Sequence, residues 1–505
     1  MAISLFNSIA SWFLKKRIHQ IELFVKYPHE VQLEVLQDLL RFSEKTEVGL
    51  NYEFSSIKTY QEFFNRVPIV SYEDISDDIK RSRNGETNIY WPTPIKWFAK
   101  SSGTTDNKSK FIPVSSEALD QCHYKAGKDV LSFYFNNNPD SVLLNGKNLR
   151  LGGSQEIYDN STSCFGDLSA IIIENMPFWA EISSTPSHKV SMIPEWEKKL
   201  EAILKESVNE DVTSFAGVPS WMMVLLNKIL EQTQKKNILE VWPNLEVFFH
   251  GGVSFKPYKN QYKNFFPGSQ LKYYETYNAS EGFFGIQDLN NSDEMLLMLD
   301  YGIFFEFIPV GGTDEDIILL TDVQLYKHYA LVISTNSGLW RYKIGDVIKF
   351  TSVAPYRIHV VGRTKHFINA FGEELVIENA DLALSKAAQA VGVHVIDYTV
   401  APVFMDGKKQ GTHQWLIEFD SVPEDLTRFT LLLDEGLREL NSDYDSKRYK
   451  NMIMRIPELV IGQQKLFYKW LSKNNKLGGQ NKIPRLCNNR DLMEELLRFN
   501  AMKQL

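Results

Sequence analysis

The chain has 505 residues, of which 43% are hydrophobic and 23% are charged, and it carries a formal charge of −8 at neutral pH. This length exceeds what one hydrophobic core usually supports, so we expect at least two domains. The acidic balance excludes a general nucleic-acid binder, because such proteins need a basic stripe that replaces the counterions of the phosphates.

The N-terminal segment carries an apolar face, from Ile3 to Phe13, that is followed by Lys15, Lys16 and Arg17. A signal peptide places its positive charge before the apolar core, so this order argues against one. We expect an amphipathic first helix that packs on the body of the protein; an interfacial membrane helix is the alternative. No stretch approaches the roughly 20 apolar residues that a membrane span needs.

The next elements in chain order surround a polar loop. Apolar spacing predicts one helix over residues 18–43, and a short helix ends near Gly85. The aromatic stretch 89–100 predicts a strand and turn, and residues 115–135 have helical periodicity. We therefore predict that the polar loop between them, "KSSGTTDNKSKFIP", joins a strand to a helix.

The rest of the chain changes character near residue 363. Helices are predicted at 194–207 and 217–236, strands near 244–255 and 269–287, and a strand-rich section over 295–352. Helices and strands alternate again beyond this point. The pattern predicts a large α/β unit that ends near Arg363 and a smaller α+β unit after it.

Three cysteines, Cys122, Cys164 and Cys487, lie far apart in the sequence. Their odd number and spacing match neither a disulfide framework nor a paired metal site. We therefore predict a reducing, cytoplasmic location.

The polar loop has the composition of a phosphate-binding turn. Backbone N–H groups and hydroxyls of a Ser, Gly and Thr run can point into one concavity, and neighbouring lysines match the charge of a triphosphate. The order is not that of a Walker loop, and a plain solvated loop is the alternative. The candidate phosphate ligands are Ser101, Ser102, Gly103, Thr104, Thr105, Lys108 and Lys110.

Five segments together resemble the acyl acid amido synthetases, the GH-three (Gretchen Hagen) family of adenylate-forming enzymes. "SSGTTDNKSK" resembles the first signature of these enzymes, and "YETYNASEG" and "LWRYKIGDV" resemble two others in the expected order. "VVGRTKHF" stands at the expected domain junction, and "QNKIPR" lies near the end. The resemblance spans almost the whole chain.

This resemblance implies a domain plan. Residues 1–363 would form the adenylation domain that binds ATP and the acyl acid, with sheets flanked by helices and a β-barrel-like strand-rich section. Residues 364–505 would form a small mobile α+β lid, with a hinge at residues 363–365. The nucleotide would lie between these domains.

Glu281, in "NASEG", is the candidate magnesium ligand. Mg²⁺ prefers oxygen ligands and substrate phosphates to an all-protein cage, so one carboxylate beside a bound triphosphate would suit it. A solvent-facing glutamate in a polar turn is the alternative.

The resemblance also assigns the nucleoside. Tyr277 would stack on adenine, Asp346 would accept the ribose hydroxyls, and Arg363 would contact ribose and phosphate. Without the resemblance, Tyr277 would be interpreted as a core aromatic, Asp346 as part of a turn, and Arg363 as a partner in a domain-interface ion pair. The adenine and ribose candidates are Gly251, Gly252, Tyr277, Ser280, Asp346 and Arg363.

Three residues are candidates for the acyl pocket. Trp221 and Met222 begin a predicted helix where they could line an apolar pocket, although a Met-rich helical face is typical of ordinary core. His250 precedes two glycines at a strand end, where a purely structural histidine is the alternative.

Lys482, between Gly479 and Pro484, matches the family lysine that reaches the α-phosphate and the acyl carboxylate. Its charge would stabilise the transition state of adenylation. We therefore predict catalytic roles for Lys482 and Glu281.

The implied reaction uses ATP with Mg²⁺ to join a carboxylic acid to an amine, and the resemblance favours the amine of an amino acid. An acyl adenylate forms first, and attack by the amine then releases AMP. Two alternatives are transfer to coenzyme A as a thioester and a non-catalytic nucleotide-binding protein. Asp106 and Asn107 stand where plant members usually carry a small residue and glycine, and we expect a bacterial-type member.

Overall fold

The computed structural model describes residues 16–101, 110–152, 158–159, 162–252, 255, 259–268, 271–363, 367–368, 370–371, 373, 375–404, 410–448, 454–474, 476, 482–487 and 489–502. The chain forms two compact units. The first contains Met1–Val253, Tyr262–Ile344 and Ile348–Val360, and the second contains Ser254–Gln261, Gly345–Val347 and Val361–Leu505.

The helices up to residue 265 are α1 (residues 16–26), α2 (Pro28–Ser43), α3 (Glu47–Asn51), α4 (Tyr60–Arg66), α5 (Tyr72–Arg83), α6 (Ser116–Ala118), α7 (Lys125–Asn137), α8 (Leu168–Glu174), α9 (Phe178–Ile182), α10 (His188–Ser191), α11 (Trp196–Ser207), α12 (Pro219–Thr233) and α13 (Lys259–Phe265). A π-helical turn, Leu119–Tyr124, joins α6 to α7. The single helix predicted over 18–43 is two helices. Pro28 begins the second because proline has no N–H to donate to a preceding turn.

The strands up to residue 363 are β1 (Trp97–Ser101), β2 (Lys110–Val114), β3 (Lys147–Leu151), β4 (Tyr158–Asp159), β5 (Cys164–Gly166), β6 (Ser184–Thr185), β7 (Val212–Gly217), β8 (Val247–Gly251), β9 (Lys272–Ala279), β10 (Gly282–Ile286), β11 (Met295–Leu297), β12 (Ile303–Pro309), β13 (His328–Thr335), β14 (Tyr342–Val353) and β15 (Tyr356–Arg363). Eleven of them form one sheet in the order β12-β13-β14-β15-β11-β10-β9-β8-β7-β3-β6. The smaller sheet has the order β2-β1-β5-β4.

The large sheet has a parallel part and an antiparallel part. Strands β6, β3, β7, β8 and β9 run parallel to one another. The pairings of β9 with β10, β10 with β11, β11 with β15, and β12 with β13 are antiparallel. The predicted strand-rich section over 295–352 therefore extends the α/β part within the same sheet.

The polar loop joins two strands, so the predicted strand-to-helix connection is wrong. β1 pairs with β2 in antiparallel register, with Ser101 opposite Lys110. The apolar residues of "KFIPV" form a second strand, and the helix begins only after Ser115, whose hydroxyl accepts the N–H of Ala118 at 2.9 Å. Two antiparallel strands, β1 and β2, thus flank the loop, and β2 separates the loop from the start of α6.

The N-terminal helix packs on the body of the first unit over its described residues. Ile21 and Phe24 are buried, and the Arg17 guanidinium forms ion pairs with Asp129 at 2.9 Å and with Asp300 at 2.7 Å. The apolar face from Ile3 to Phe13 lies outside the described residues. No helix of the described chain has both the length and the apolar character that crossing a membrane requires.

A buried ion pair fixes the start of β14. The Arg341 guanidinium donates from Nε to both carboxylate oxygens of Glu306, at 3.1 and 3.0 Å, and Tyr60 donates to the same carboxylate at 2.7 Å. Arg341 also donates to the carbonyl of Val67 at 2.7 Å. Its backbone has φ = +43°, which costs energy for a residue with a Cβ. The ion pair therefore holds α4, β12 and the entry to β14 together.

The second unit contains β16 (Phe367–Ile368), β17 (Leu375–Val376), α14 (Ile377–Val391), β18 (Val395–Val403), β19 (Thr412–Phe419), α15 (Leu426–Leu440), α16 (Ser442–Arg448), β20 (Glu458–Gly462), α17 (Leu466–Lys473) and α18 (Asp491–Ala501). Strands β18, β19 and β20 form a sheet in that order, and β16 pairs with β17. Between these two strands, the Glu373 carboxylate accepts the N–H of Phe371 at 2.6 Å and lies 2.7 Å from Nε2 of His413.

Replacement of Arg341 by methionine should lower the free energy of unfolding by about 3–5 kcal/mol, because it leaves the Glu306 carboxylate buried and uncompensated. Lys343→Met is the matched control, since Lys343 pairs with Asp314 at 2.9 Å on the surface of the same strand. An exposed pair of this kind contributes about 1 kcal/mol or less. Urea denaturation of both variants measures the difference, and equal losses would contradict the role of the buried pair.

Candidate active site

The carboxyl ends of four parallel strands meet at one edge of the large sheet. Leu151 of β3 stands opposite Gly217 of β7, Gly217 opposite His250 of β8, and His250 opposite Glu275 of β9. Ligands of open α/β sheets bind outside such carboxyl ends. This edge therefore brings the "HGG" and "YNASEG" segments of the sequence side by side.

Two glycines allow β8 and β9 to approach closely at this edge. A Cβ on Gly251 would lie 2.6 Å from the carbonyl oxygen of Thr276, and Gly252 has φ = +80°. The Thr276 hydroxyl donates to the carbonyl of His250 at 3.2 Å. Glycine is required at both positions, for space at the first and for backbone conformation at the second.

His250 is buried, with 3% of its surface exposed. Its ring centroid lies 5.4 Å from that of Phe248 and 6.5 Å from that of Tyr273. The imidazole thus lies among aromatic side chains near the strand end.

Glu281 lies at the tip of a tight turn. Only Ser280 and Glu281 separate the end of β9 from the start of β10, and both are half-buried. Beside this turn, the Cys122 sulfur accepts the N–H of Phe283 at 3.2 Å, so the π-helical turn packs against the start of β10. Tyr277, two strand positions before Ala279, is 6% exposed and its ring lies 4.9 Å from that of Phe284.

Trp221 and Met222 lie in the first turn of α12, which begins at Pro219 just beyond the carboxyl end of β7. The Tyr262 hydroxyl donates to the carbonyl of Pro219 at 2.7 Å and so fixes this helix start. Met222 is fully buried and Trp221 is 8% exposed. The two side chains therefore pack in the core immediately behind the sheet edge.

The phosphate-loop candidates lie mostly outside the described residues: Ser102, Gly103, Thr104, Thr105 and Lys108, together with Asp106 and Asn107. Ser101 ends β1, and Lys110 begins β2. The Lys110 ammonium lies 5.4 Å from the ring centroid of Tyr72, whose hydroxyl accepts the N–H of Phe111 at 2.9 Å.

The remaining predicted residues occupy three places. Asp346 is 5% exposed within β14, and Arg363 is the last residue of β15. Lys482 is exposed. Immediately after it the chain is held in place, because the Pro484 carbonyl accepts the Thr399 hydroxyl at 2.6 Å and Arg485 pairs with Asp381 at 2.7 Å.

Within the described part of the chain, no group of three or more His, Cys, Asp or Glu side chains could hold a metal ion. A lone carboxylate in a half-buried turn, such as Glu281, fits a Mg²⁺ ion whose other ligands are phosphate oxygens and water.

Sequence reasoning missed a group of charges beside the sheet edge. The Lys199 ammonium is buried and donates to the carbonyl of Gly152 at 3.1 Å, just beyond the end of β3. Burial lowers the pKa of Lys199 to about 8 and raises the pKa of Asp167 to about 6. Lys199 lies on the buried face of α11 with Ile203 and Ser207, at a spacing of four residues. This spacing is the sequence signal that could have predicted a buried lysine.

Comparison with known proteins places this fold and this order of segments in one class. The structure superposes on that of the GH3.15 acyl acid amido synthetase with a TM-score of 0.79 at 18% identity, over 96% of both chains. A 2-hydroxyisobutyryl-CoA ligase in the postadenylation state superposes with a TM-score of 0.59 at 13% identity, over 93% of this chain and 92% of that one. The fold is thus that of the adenylate-forming enzymes.

The sequence defines the family within this class. The GH3 family N-terminal domain matches residues 17–271, the central domain 296–363 and the C-terminal domain 378–491. The indole-3-acetic acid-amido synthetase GH3.4 of Arabidopsis thaliana is 24% identical over 95% of this chain and 93% of its own length. The jasmonoyl--L-amino acid synthetase JAR6 of Nicotiana attenuata is 25% identical over 93% of both.

The chain belongs to the GH3 family. This membership gives it the activity of an acyl acid amido synthetase, an adenylate-forming ligase, as the sequence predicts. The relatives named above are plant enzymes, and the expectation of a bacterial-type member has no support from them.

Replacement of Gly251 by alanine should lower the free energy of unfolding by about 1–3 kcal/mol, because the new methyl group overlaps the Thr276 carbonyl. The same change at Gly127, in the interior of α7 with nothing within 4 Å of the added Cβ, should stabilise the protein by about 0.5–1 kcal/mol. Chemical denaturation measures both values. An unchanged stability of Gly251→Ala would contradict the close approach of β8 and β9.

Proposed function

We propose that the protein condenses an apolar carboxylic acid with an amino acid, using ATP and Mg²⁺, through an acyl adenylate that forms at the carboxyl edge of its parallel strands. One observation carries this proposal: the register of β8 and β9 brings His250 and Gly251 beside the segment that leads to Glu281. Each of these segments contains residues that the family resemblance implies for nucleotide or acid binding.

The triphosphate is proposed to bind to the loop between β1 and β2. Backbone N–H groups and hydroxyls of Ser101 to Thr105 would donate hydrogen bonds to the phosphate oxygens, and Lys108 and Lys110 would balance their charge. The backbone N–H groups of this segment would supply the anion site, because β2 lies between the segment and the first helix after it.

Mg²⁺, when bound, would neutralise charge on the phosphates during attack on the α-phosphorus. Glu281, at the tip of the β9–β10 turn, is the proposed protein ligand. Phosphate and water oxygens would complete the coordination of the ion. In the nucleoside site, Asp346 and Arg363 would bind the ribose side. Tyr277, Ser280, Gly251 and Gly252 would line the adenine side.

The acid is proposed to lie against Trp221, Met222 and His250. These side chains end in the core behind the sheet edge, so the acid site would be apolar. The names of the plant relatives include acids of this kind, indole-3-acetic acid and a jasmonoyl group.

Lys482 is the proposed catalytic cation. Its ammonium would stabilise the charge that builds as the carboxylate oxygen attacks the α-phosphorus and pyrophosphate departs. We further propose that residues 364–505 act as a lid on the domain of residues 1–363, with its hinge at 363–365, because the two half-reactions need different groups near one carbon.

The test is pyrophosphate exchange into ATP across a panel of carboxylic acids, followed by trapping of the active acids with amino acids or with coenzyme A. Acid-dependent exchange and an amide product are the expected results. A thioester without any amide would support transfer to coenzyme A instead, and exchange that no acid supports would contradict the ligase.

A Lys482→Ala variant should lose pyrophosphate exchange by about 10²–10³-fold, because it lacks a charge that acts in the transition state. Its dissociation constant for ATP, measured by calorimetry, should change less than about threefold, since a transition-state contact contributes little to ground-state binding. Lys473→Ala removes a lysine that lies over the ring of Phe499 and serves as the control. Equal losses of exchange and of ATP binding would contradict the role of Lys482.

Replacement of Glu281 by glutamine should raise the Mg²⁺ concentration that gives half-maximal exchange by about tenfold, because a carboxylate ligand becomes a neutral amide. The measurement is exchange rate against free Mg²⁺ at saturating ATP. Glu174→Gln, which changes a surface glutamate of α8, should leave the curve in place. A Glu281→Gln curve that falls in height without moving would argue against metal binding at this residue.

A further inference from the structure

The charged side chains of Lys100, Asp167 and Lys199 lie where an edge of the small sheet is close to an edge of the large sheet. Ala99 of β1 is in parallel register with Gly166, the last residue of β5, and Lys100 and Asp167 are the residues that follow this pair. β1 continues directly into Ser101. The backbone immediately before Asp167 is therefore about one strand spacing, roughly 5 Å, from the strand that leads into the proposed phosphate loop.

Lys199 connects this position to the edge of the large sheet. Lys199 is 1% exposed, and its ammonium donates to the Gly152 carbonyl at 3.1 Å, beyond the carboxyl end of β3. A Cβ on Gly152 would lie 2.7 Å from the side chain of Ile173, so α8 packs directly on that strand end. The carboxyl ends of β1, β5 and β3 thus converge on Lys100, Asp167 and Lys199.

The half-buried Asp167 carboxylate differs from the buried carboxylates of Asp129 and Glu306 in the same unit. It makes no hydrogen bond and no ion pair within 4 Å to any residue that the structure describes, although it precedes a helix whose first turn it could cap. Asp129 and Glu306, by contrast, each bind a guanidinium and a tyrosine hydroxyl directly. A half-buried carboxylate without such partners, held between two lysines, is available to a cationic ligand.

We infer that Asp167 is a catalytic residue of the second half-reaction, which binds the ammonium group of the incoming amino acid and removes a proton from it. The inference rests on the proposed amide-forming function and adds the acceptor subsite to it. Lys199 and Lys100, which flank the carboxylate, supply cations for the amino acid's own carboxylate. This group of side chains therefore offers a negative charge to the ammonium of the amino acid and positive charges to its carboxylate.

The proton balance of this step is complete. The ammonium transfers one proton to the Asp167 carboxylate, and the neutral amine attacks the carbonyl carbon of the acyl adenylate. The new C–N bond forms, the bond from that carbon to the phosphate oxygen breaks, and the second proton leaves the nitrogen for the departing AMP phosphate. An amide, AMP and a protonated Asp167 result, and the carboxyl group then returns its proton to water.

Burial suits Asp167 to this role, because a base with a raised pKa holds the proton of an ammonium more readily than an ordinary carboxylate does. The charged groups that act on it are Lys100 from β1 and Lys199 from α11, and both oppose the rise. The neighbouring helix α10 carries Lys189 and His188. Nε2 of His188 lies 2.9 Å from the carboxylate of Glu174, at the far end of α8 from Asp167. β5 offers only the buried thiol of Cys164.

The test compares two acceptors with the full-length enzyme and an acid that supports exchange. Hydroxylamine is neutral at pH 8 and needs no base, whereas an amino acid arrives as an ammonium. Asp167→Asn should keep hydroxamate formation within about threefold of wild type and lose about 10²-fold in kcat/KM for the amino acid. Glu174→Gln, on the same helix, should change neither rate.

Equal losses with both acceptors, or no loss with either, would overturn the role of Asp167. A wild-type protein that forms hydroxamate but no amide with any amino acid would instead contradict the proposed function, so the two failures are distinguishable. The melting temperature of Asp167→Asn should match that of wild type.

The pH profile gives an independent test. Lys199→Gln removes a positive charge beside Asp167, which raises the pKa of that carboxyl, so the acidic limb of kcat/KM for the amino acid should move to higher pH. Hydroxamate formation should show no such movement. A limb that stays in place or moves to lower pH would contradict the assignment of Asp167 as the base.

Discussion

The parallel register of β3, β7, β8 and β9 is the constraint on which the candidate site depends. Neighbouring parallel strands end at the same edge, and here the close contact of Gly251 with the Thr276 carbonyl keeps β8 beside β9 up to Gly251, the last residue of β8. The Ser280–Glu281 turn and the start of α12 both take their positions from these strand ends. A side chain larger than hydrogen at Gly251 would separate the segments that are proposed to hold the nucleotide.

The sequence predicted the parts of the fold that have a strong local pattern. The α/β character of the chain and the position of α12 followed from apolar periodicity, and the structures of adenylate-forming enzymes confirm the fold class. The connection after β1 was predicted wrongly, because five residues with a proline among them give too short a pattern to separate a strand from the loop before it. The helix break at Pro28 was missed because apolar spacing continued across it.

Functional residues were predicted where a motif surrounds them. Glu281, Asp346 and Lys482 lie in segments whose order is that of the GH3 family, and their roles remain predictions. Asp167 and Lys199 lie in no such segment. Their relation depends on the pairing of β1 with β5 and on the packing of α8 against Gly152, and long-range contacts of this kind leave no trace in local spacing.

The hydrogen bond between Thr399 and the Pro484 carbonyl limits how Lys482 can travel. Only Ile483 lies between the lysine and Pro484, and an extended chain covers at most about 3.6 Å per residue. The lysine backbone is thus held within roughly 7 Å of Pro484, which this hydrogen bond attaches to β18. Any larger excursion of the ammonium, beyond the reach of its own side chain, must carry the three-stranded sheet with it. A substitution of Thr399 that removes this hydrogen bond would therefore let the backbone of Lys482 move further, although the lysine itself is unchanged.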